Sequence, residues 1–168
     1  GLVAVPAAGA RRGTVAPIVR SAASGSTGSS ASISYGVVLR NTSTSRDALR
    51  VPVHVAVVGP VGLIGIYLTS IPLIPAGATF YLGNEPALAG PQHATGVSIA
   101  VGVAATQRRQ AVLPSASAHV SPQGAIAGKV TNPYGRPIDT ASSKLYAVYY
   151  DGHGKIVGGD RLKGVRFP

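Results

Sequence analysis

The chain alternates short apolar stretches with turns rich in glycine, proline, asparagine and serine. Valine fills every second position from 51 to 57. A second alternation of the same kind runs through Val97, Ile99, Val101 and Val103. A period of two residues is typical of a β-strand that buries one face. Both patterns therefore predict strands and not helices.

Other short apolar runs, each bounded by turn residues, predict further strands. They cover residues 14–20, 33–39, 63–71, 78–82, 95–104, 125–131, 143–150, 155–162 and 165–167. Turns are predicted at 59–62 and 74–77. Helix formers are scarce, whereas the chain holds 22 Gly and 13 Pro, a balance that favours strands and turns. Many short strands at regular spacing indicate an all-β fold of the immunoglobulin-like sandwich type.

Changes in composition predict the domain organisation. The predicted order is an extended N-terminal arm with a Ser/Gly-rich linker (1–32, the linker being 21–32), a β-sandwich domain (33–106), a linker with one candidate strand at 111–113 (107–124) and a second, partial β-unit (125–168). The two units echo each other, because residues 55–65 and 147–158 both consist of an apolar strand, a glycine-containing turn and a second apolar strand.

The second unit carries a recognisable motif. The sequence LYAVYYDGHGKIVGG (145–159), preceded by GKVTN (128–132), resembles the FxLYD family of bacterial secreted and envelope domains. The signature positions are occupied by Ala147, Val148, Tyr149, Tyr150 and Asp151, with Ala147 where that family has Phe. The resemblance is clear over about 127–160 and faint over 33–104. It implies an immunoglobulin-like sandwich that serves as a small extracellular interaction or spacer domain, with no catalytic role.

The partial unit predicts a way of assembling. A half-sandwich leaves sheet edges and an apolar face open, so we expect either a longer native chain or strands from another chain. The N-terminal arm is the candidate donor, by strand exchange between subunits. The predicted assembly interface consists of Val15, Ile18, Val97, Ile99, Val101, Val103, Tyr146 and Tyr150. Tyr146 and Tyr150 are expected to share one face of their strand.

Charge is distributed unevenly along the chain. Residues 1–50 carry +5, residues 51–107 carry −1 from Glu85 alone, and residues 108–168 carry +6, which sum to +10. The basic ends predict an anionic partner, with Arg11, Arg12, Arg108 and Arg109 as candidate contacts in loops. The other basic residues are isolated, and these two adjacent pairs do not form the clustered basic surface that nucleic acid requires. The long segment 51–107, with one formal charge, predicts an interaction surface.

The segment 51–77 is uncharged and long enough to cross a bilayer. Its four prolines and its valine alternation nevertheless disfavour a membrane helix and predict a hairpin.

Candidate reaction chemistry is sparse. The chain has no Cys, which excludes disulfides and thiolate metal sites. His54, His93, His119 and His153 lack a metal-ligand spacing, and Asp151 with His153 suits a turn. The five acids form no catalytic pair. No cofactor, metal or enzymatic activity is therefore predicted.

The residues predict a non-enzymatic, extracellular or cell-surface structural protein that self-assembles, as in a filament or layer, with copies of itself or other envelope proteins as partners. Two alternatives stay open. One is an envelope module that binds an acidic cell-wall polymer, and the other is an accessory subunit of a membrane complex.

Overall fold

The chain is built from antiparallel β-sheets in the computed structural model, which describes residues 17–90, 92–120, 122, 126–137, 139 and 143–162. The strands are β1 (Val19–Gly28), β2 (Ile33–Asn41), β3 (Arg46–Gly59), β4 (Gly62–Ile74), β5 (Thr79–Asn84), β6 (Gly96–Val101), β7 (Ala105–Arg108), β8 (Ser115–Val120), β9 (Ile126–Thr131), β10 (Leu145–Tyr150) and β11 (Ile156–Leu162). The described residues contain no helix, which confirms the predicted all-β class.

Two sheets pack face to face around the main core. One has the order β1-β2-β5, and the other has the order β4-β3-β6, with β7 pairing with β3 beyond the end of β6. Alternate residues of β2 and β3 share one apolar cluster, namely Tyr35, Val37 and Leu39 with Val51, Val53 and Val55. The three valines are fully buried, and each such burial stabilises the fold by about 1.5–3 kcal/mol. The valine alternation in the sequence is thus the buried face of β3.

The predicted turns are confirmed. β3 and β4 form a long hairpin that turns at Pro60 and Val61, and β4 ends at Ile74 before the turn that leads to β5. Gly62 and Gly77 have positive φ angles of 119° and 72°, which only glycine adopts readily.

A third layer lies on the other face of the β1-β2-β5 sheet. The hairpin β10–β11 contacts this sheet, with β11 against β1, β2 and β5. Gly25, Gly36 and Gly83 lie side by side on the sheet, because Gly25 pairs with Gly36 and Gly36 pairs with Gly83. A Cβ on any of the three would overlap the backbone of β10 or β11. This glycine row allows the two layers to approach backbone to backbone.

The close approach is also fixed by polar contacts. The Ser34 hydroxyl donates to the Gly159 carbonyl and accepts from the Gly159 N–H, both at 2.9 Å. The Thr27 hydroxyl donates to the Val157 carbonyl at 2.5 Å. The third layer is therefore bonded to the sheet and does not rest on it through apolar contacts alone.

The Ser/Gly-rich segment 21–32 was expected to be a linker, and this is wrong for most of its length. β1 occupies Val19–Gly28 and pairs with β2 along its whole length. Small residues are required there because β11 lies directly over Gly25. Of the predicted strand at 14–20, residues 14–16 lie outside the described residues.

The predicted linker 107–124 also contains regular structure. Gln107 and Arg108 belong to β7, and β8 covers Ser115–Val120. The candidate strand at 111–113 is not a strand. The hairpin β8–β9 is exposed along β8, which explains why its apolar alternation is weak.

The predicted second unit divides between two places. β9 pairs with β8, whereas β10–β11 packs on the sheet of the first unit. The hairpin turn itself has the predicted Asp chemistry, because Asp151 Oδ1 accepts from the N–H groups of His153 and Lys155, both at 2.9 Å. The predicted strand at 165–167 lies outside the described residues.

Candidate functional site

The central part of the outer face of the β4-β3-β6 sheet, at residues 52–58 of β3 and their partners on β4 and β6, carries no charge, whereas Arg46 and Arg50 are exposed nearer the start of β3. Each row across this face joins one residue from each strand, and the two central rows are Leu68–His54–Ala100 and Ile66–Ala56–Ser98. Leu68 is 70% exposed and Ile66 is 57% exposed. Leu63, which pairs with Val58 at the hairpin end, is 62% exposed. Three large apolar side chains therefore face water on one surface, which we call the neutral face.

The edges of the same sheet also lack charge. β4 (GLIGIYLTSIPLI) and β6 (GVSIAV) contain no Lys, Arg, Asp or Glu, and β3 lies between them. Among the described residues, neither β4 nor β6 has a second pairing strand. Proteins often protect such edges with charged side chains, and both edge strands of this sheet lack that protection.

β6 is incompletely covered on its inner side as well. Val97, Ile99 and Val101 pack against the main core but stay partly exposed. Their partners on β3, which are Val57, Val55 and Val53, are fully buried. The difference arises because β3 has neighbours on both sides, whereas β6 has one. A further strand beside β6 would complete the burial of these three side chains.

The residues predicted as an assembly interface do not lie on one surface. Ile18 packs against the core of its own chain, and its carbonyl accepts from the Thr42 N–H at 2.8 Å. Val103 lies beyond the end of β6, so its predicted place in that strand is wrong, and it is 61% exposed. Val15 lies outside the described residues.

Tyr146 and Tyr150 are separated by their surroundings. Tyr146 is partly buried and packs edge-on against Phe80, with ring centroids 5.8 Å apart. Tyr150 is 49% exposed. The register shifts between Tyr149 and Tyr150, and this bulge interrupts the alternation on which the shared face was predicted.

A second surface feature is a cleft of about 990 Å³. Its walls come from the turn before β5, from β5, from residues 109–116, and from the start of β10. It contains three aromatic residues, Phe80, Tyr81 and Tyr146, and two cationic residues, Arg109 and Lys144. None of the described residues that line it is acidic.

Asp47 holds two walls of this cleft together. The side chain is fully buried. Oδ1 accepts from the Ala76 N–H at 2.9 Å, while Oδ2 accepts from the N–H groups of Gln110 (2.9 Å) and Ala111 (3.1 Å) and from Gln107 Nε2 (3.3 Å). Burial raises the pKa of Asp47, but these hydrogen bonds outweigh it and hold the pKa below its ordinary value. The carboxylate therefore remains ionised and serves as a structural anchor.

The rim of the cleft has another anchor. The hydroxyl of Tyr134, which follows β9, donates to the carbonyl of Val112. Together with the contacts from Asp47, this bond ties residues 110–112 to β3 and to the region after β9. The residues that follow Arg109 are therefore fixed by hydrogen bonds, which limits the movement of the backbone at Arg109.

Of the residues predicted to contact an anionic partner, one lies in the cleft. Arg109 lines it. Arg108 was expected in a loop, but it is the last residue of β7 and pairs with Arg46. Arg11 and Arg12 lie outside the described residues. Lys144, Phe80 and Tyr81 were not predicted, and Tyr146 was predicted only for the assembly interface, because the walls of the cleft come from segments far apart in the sequence.

The described residues give no sign of a metal centre, since no three His, Asp or Glu side chains converge there. Within the same part of the chain, no helix is long and apolar enough to span a bilayer.

Comparison with protein-family models, curated proteins and solved structures finds no match to this chain. The neutral face, the open edges and the cleft must therefore be interpreted from their own chemistry.

Proposed function

We propose that this chain is a non-enzymatic structural protein of the cell envelope that assembles with copies of itself through the β4-β3-β6 sheet. One observation carries this proposal: the central part of the outer face of this sheet and its two edge strands have no charged side chain, on a chain with a net charge of +10. The other observations below support the way in which copies would meet.

Electrostatics favour the neutral face as the contact. Two chains of charge +10 repel each other when their basic regions meet. Leu63, Ile66 and Leu68 lie on a part of the sheet that has no Lys or Arg, so a contact there brings no two positive charges face to face. An uncharged face with exposed apolar side chains is also complementary to itself, as a two-fold contact between copies requires.

The size of the neutral face predicts a modest affinity. At residues 52–58 of β3 the neutral face is three strands wide and about seven residues long, roughly 14 by 23 Å. Two such faces would bury roughly 650 Å² in total, below the roughly 1,000 Å² expected of a specific interface. The face alone would then give a weak pair, and a durable assembly needs a second contact.

Strand addition at β6 supplies that second contact in the proposal. The orders β1-β2-β5 and β4-β3-β6 match the A-B-E and C′-C-F strands of an immunoglobulin-like sandwich, in which one more strand pairs with F. This supports an immunoglobulin-like architecture in which no described strand occupies the second pairing position of β6. A strand from another copy would add backbone hydrogen bonds and cover Val97, Ile99 and Val101.

The proposed strand-donor segment is shorter than the predicted arm 1–32. Residues 19–28 form β1 in their own sheet, and Ile18 bonds to Thr42 of its own chain. Residues 1–16 are therefore the proposed donor segment. The cell-envelope location rests on the resemblance of residues 145–159 to FxLYD domains.

The test is the oligomeric state of two charge variants. Leu68→Lys and Ile66→Lys place a cation on the neutral face at positions that are already more than half exposed, so the fold should be kept. We expect both variants to weaken self-association at least about tenfold, or 1.4 kcal/mol, in sedimentation velocity over a range of protein concentrations.

Ser117→Lys is the matched control. It adds the same charge at an exposed position of β8, away from the neutral face. This variant should associate like the unmodified chain. A monomer at all concentrations, or equal weakening by all three substitutions, would contradict the proposal.

A further inference from the structure

The cleft between β5, β10 and residues 109–116 has a chemistry that the proposed assembly does not use. Arg109 and Lys144 belong to different walls, since one follows β7 and the other precedes β10. Both residues are exposed. Two cationic residues on separate walls of an open cleft suit an anionic group placed between them.

Aromatic and apolar surface accompanies the two cationic residues. Tyr81 is 49% exposed, and Tyr146 packs edge-on against Phe80 in the same lining. Pro75 and Pro114 add rigid apolar surface. A ligand that fits should therefore combine a negative charge with a ring that has an apolar face, because aromatic side chains offer broad, flat contact area.

The number of cationic residues limits the type of polymer. Duplex DNA has about one charge per 1.7 Å of its axis and is bound through many phosphate contacts. The cleft offers two cationic residues among its described lining. A polysaccharide with one carboxylate per sugar needs far fewer cationic contacts and presents the apolar faces of its rings.

The rim is also held in place before any ligand arrives. Asp47 bonds to the N–H groups of Ala76, Gln110 and Ala111, which belong to two different walls. All four donors to Asp47 are hydrogen-bonded to a side chain that is fully buried and does not line the cleft. A site that is organised in advance loses less conformational entropy on binding.

From this combination we infer that the cleft binds an acidic polysaccharide, with one uronic-acid residue between Arg109 and Lys144 and its ring against Tyr81.

The experiment measures binding of an oligogalacturonate by calorimetry at low salt. The same oligosaccharide with its carboxylates methyl-esterified keeps the sugar rings and removes the charge. We expect the free acid to bind and the ester to bind at least tenfold more weakly. Equal binding of the two forms, or binding of neither, would overturn the inference.

Variants then locate the site. Arg109→Ala with Lys144→Ala should weaken binding of the acid about tenfold, since each exposed charge pair contributes modestly to affinity. Arg20→Ala with Lys155→Ala removes the same two residue types from exposed positions outside the cleft. This control pair should change affinity less than twofold. A loss of affinity equal to that of the cleft variant would show general attraction to a basic chain and would contradict the inference.

Tyr81→Ala provides a readout that does not depend on charge. It should weaken binding several-fold at unchanged net charge, and an unaltered affinity would remove the ring from the proposal. A duplex DNA of equal charge serves as a competitor. Displacement of the oligogalacturonate by DNA at lower concentration would assign the cleft to nucleic acid and contradict the inference. Thermal unfolding of each variant verifies that the fold is kept.

Discussion

Gly36 of β2 lies so close to Gly158 of β11 that a Cβ on Gly36 would overlap the Gly158 carbonyl and contact Val148 at 2.8 Å. The pair is part of the glycine row, in which Gly25 and Gly83 flank Gly36 on the neighbouring strands. The absence of side chains on three adjacent strands, and not apolar bulk, therefore allows the third layer to dock.

The first prediction concerns this contact. Gly36→Ala should lower the free energy of unfolding by about 2–3 kcal/mol, because overpacking of a close contact forces backbone shifts. Urea denaturation measures the change. Gly65→Ala is the control, since a Cβ there would meet only the Tyr67 ring at 3.8 Å or more. Equal stability of the two variants would mean that the layers are not in close contact.

The second prediction concerns Asp47. Asp47→Asn should destabilise the chain by about 2 kcal/mol or more, because an amide places an N–H group among donors that require an acceptor. Glu85→Gln makes the same chemical change at an exposed position and should alter the stability by less than about 0.5 kcal/mol.

Acid titration of stability gives a further check on Asp47. The pKa of Asp47 is lower in the folded protein than its ordinary value of 3.8. The stabilisation from its charge is thus fully present above the unfolded value and is lost as the pH falls through the lower folded value. Asp47→Asn should lose less stability over this acid range than the unmodified chain, and parallel curves would contradict the assignment.

The third prediction concerns Arg50, whose φ of 50° is in the left-handed region. Arg50→Gly should raise the free energy of unfolding by about 1 kcal/mol, because this conformation is unfavourable for a residue with a Cβ. Arg20→Gly in the extended strand β1 should have the opposite sign and lower it by about 0.5–1 kcal/mol. The two thermal midpoints should therefore move in opposite directions.

The fourth prediction is that self-association and oligogalacturonate binding respond differently to salt. Raising NaCl from low to high concentration should preserve or strengthen self-association, because screening reduces the repulsion between chains of charge +10. The same change should weaken oligogalacturonate binding. Sedimentation velocity and calorimetry at matched salt concentrations test both, and a parallel response would mean that one of the two contacts is misassigned.

The strands that line the main core were predictable because the alternation of apolar and polar residues in the sequence follows the alternation of buried and exposed side chains. Val51, Val53 and Val55 face the core as their spacing indicates. β1 was missed because Ser, Ala and Gly have no strong strand preference, and β11 lying over Gly25 determines its composition. A strand that needs small side chains for close packing has the same composition as a flexible linker, so the sequence alone does not distinguish them.

The surface features were predictable only in part. The near-absence of charge between 51 and 107, where Glu85 is the one charged residue, is readable from the sequence and locates the neutral face. The cleft could not be predicted, because it brings residues 109–116 together with Lys144 and Tyr81. These residues belong to different sheets and connections, whose packing depends on the glycine row. Arg109 was identified for its charge and not for its neighbours.

Asp47 also couples the local unfolding of the segments that are hydrogen-bonded to it. Its carboxylate links backbone positions 29, 63 and 64 residues further along the chain, so none of these segments can open without releasing a buried charge. The amide hydrogens of Ala76, Gln110 and Ala111 should consequently exchange with solvent at similar rates, as one cooperative unit, although two loops far apart in sequence carry them.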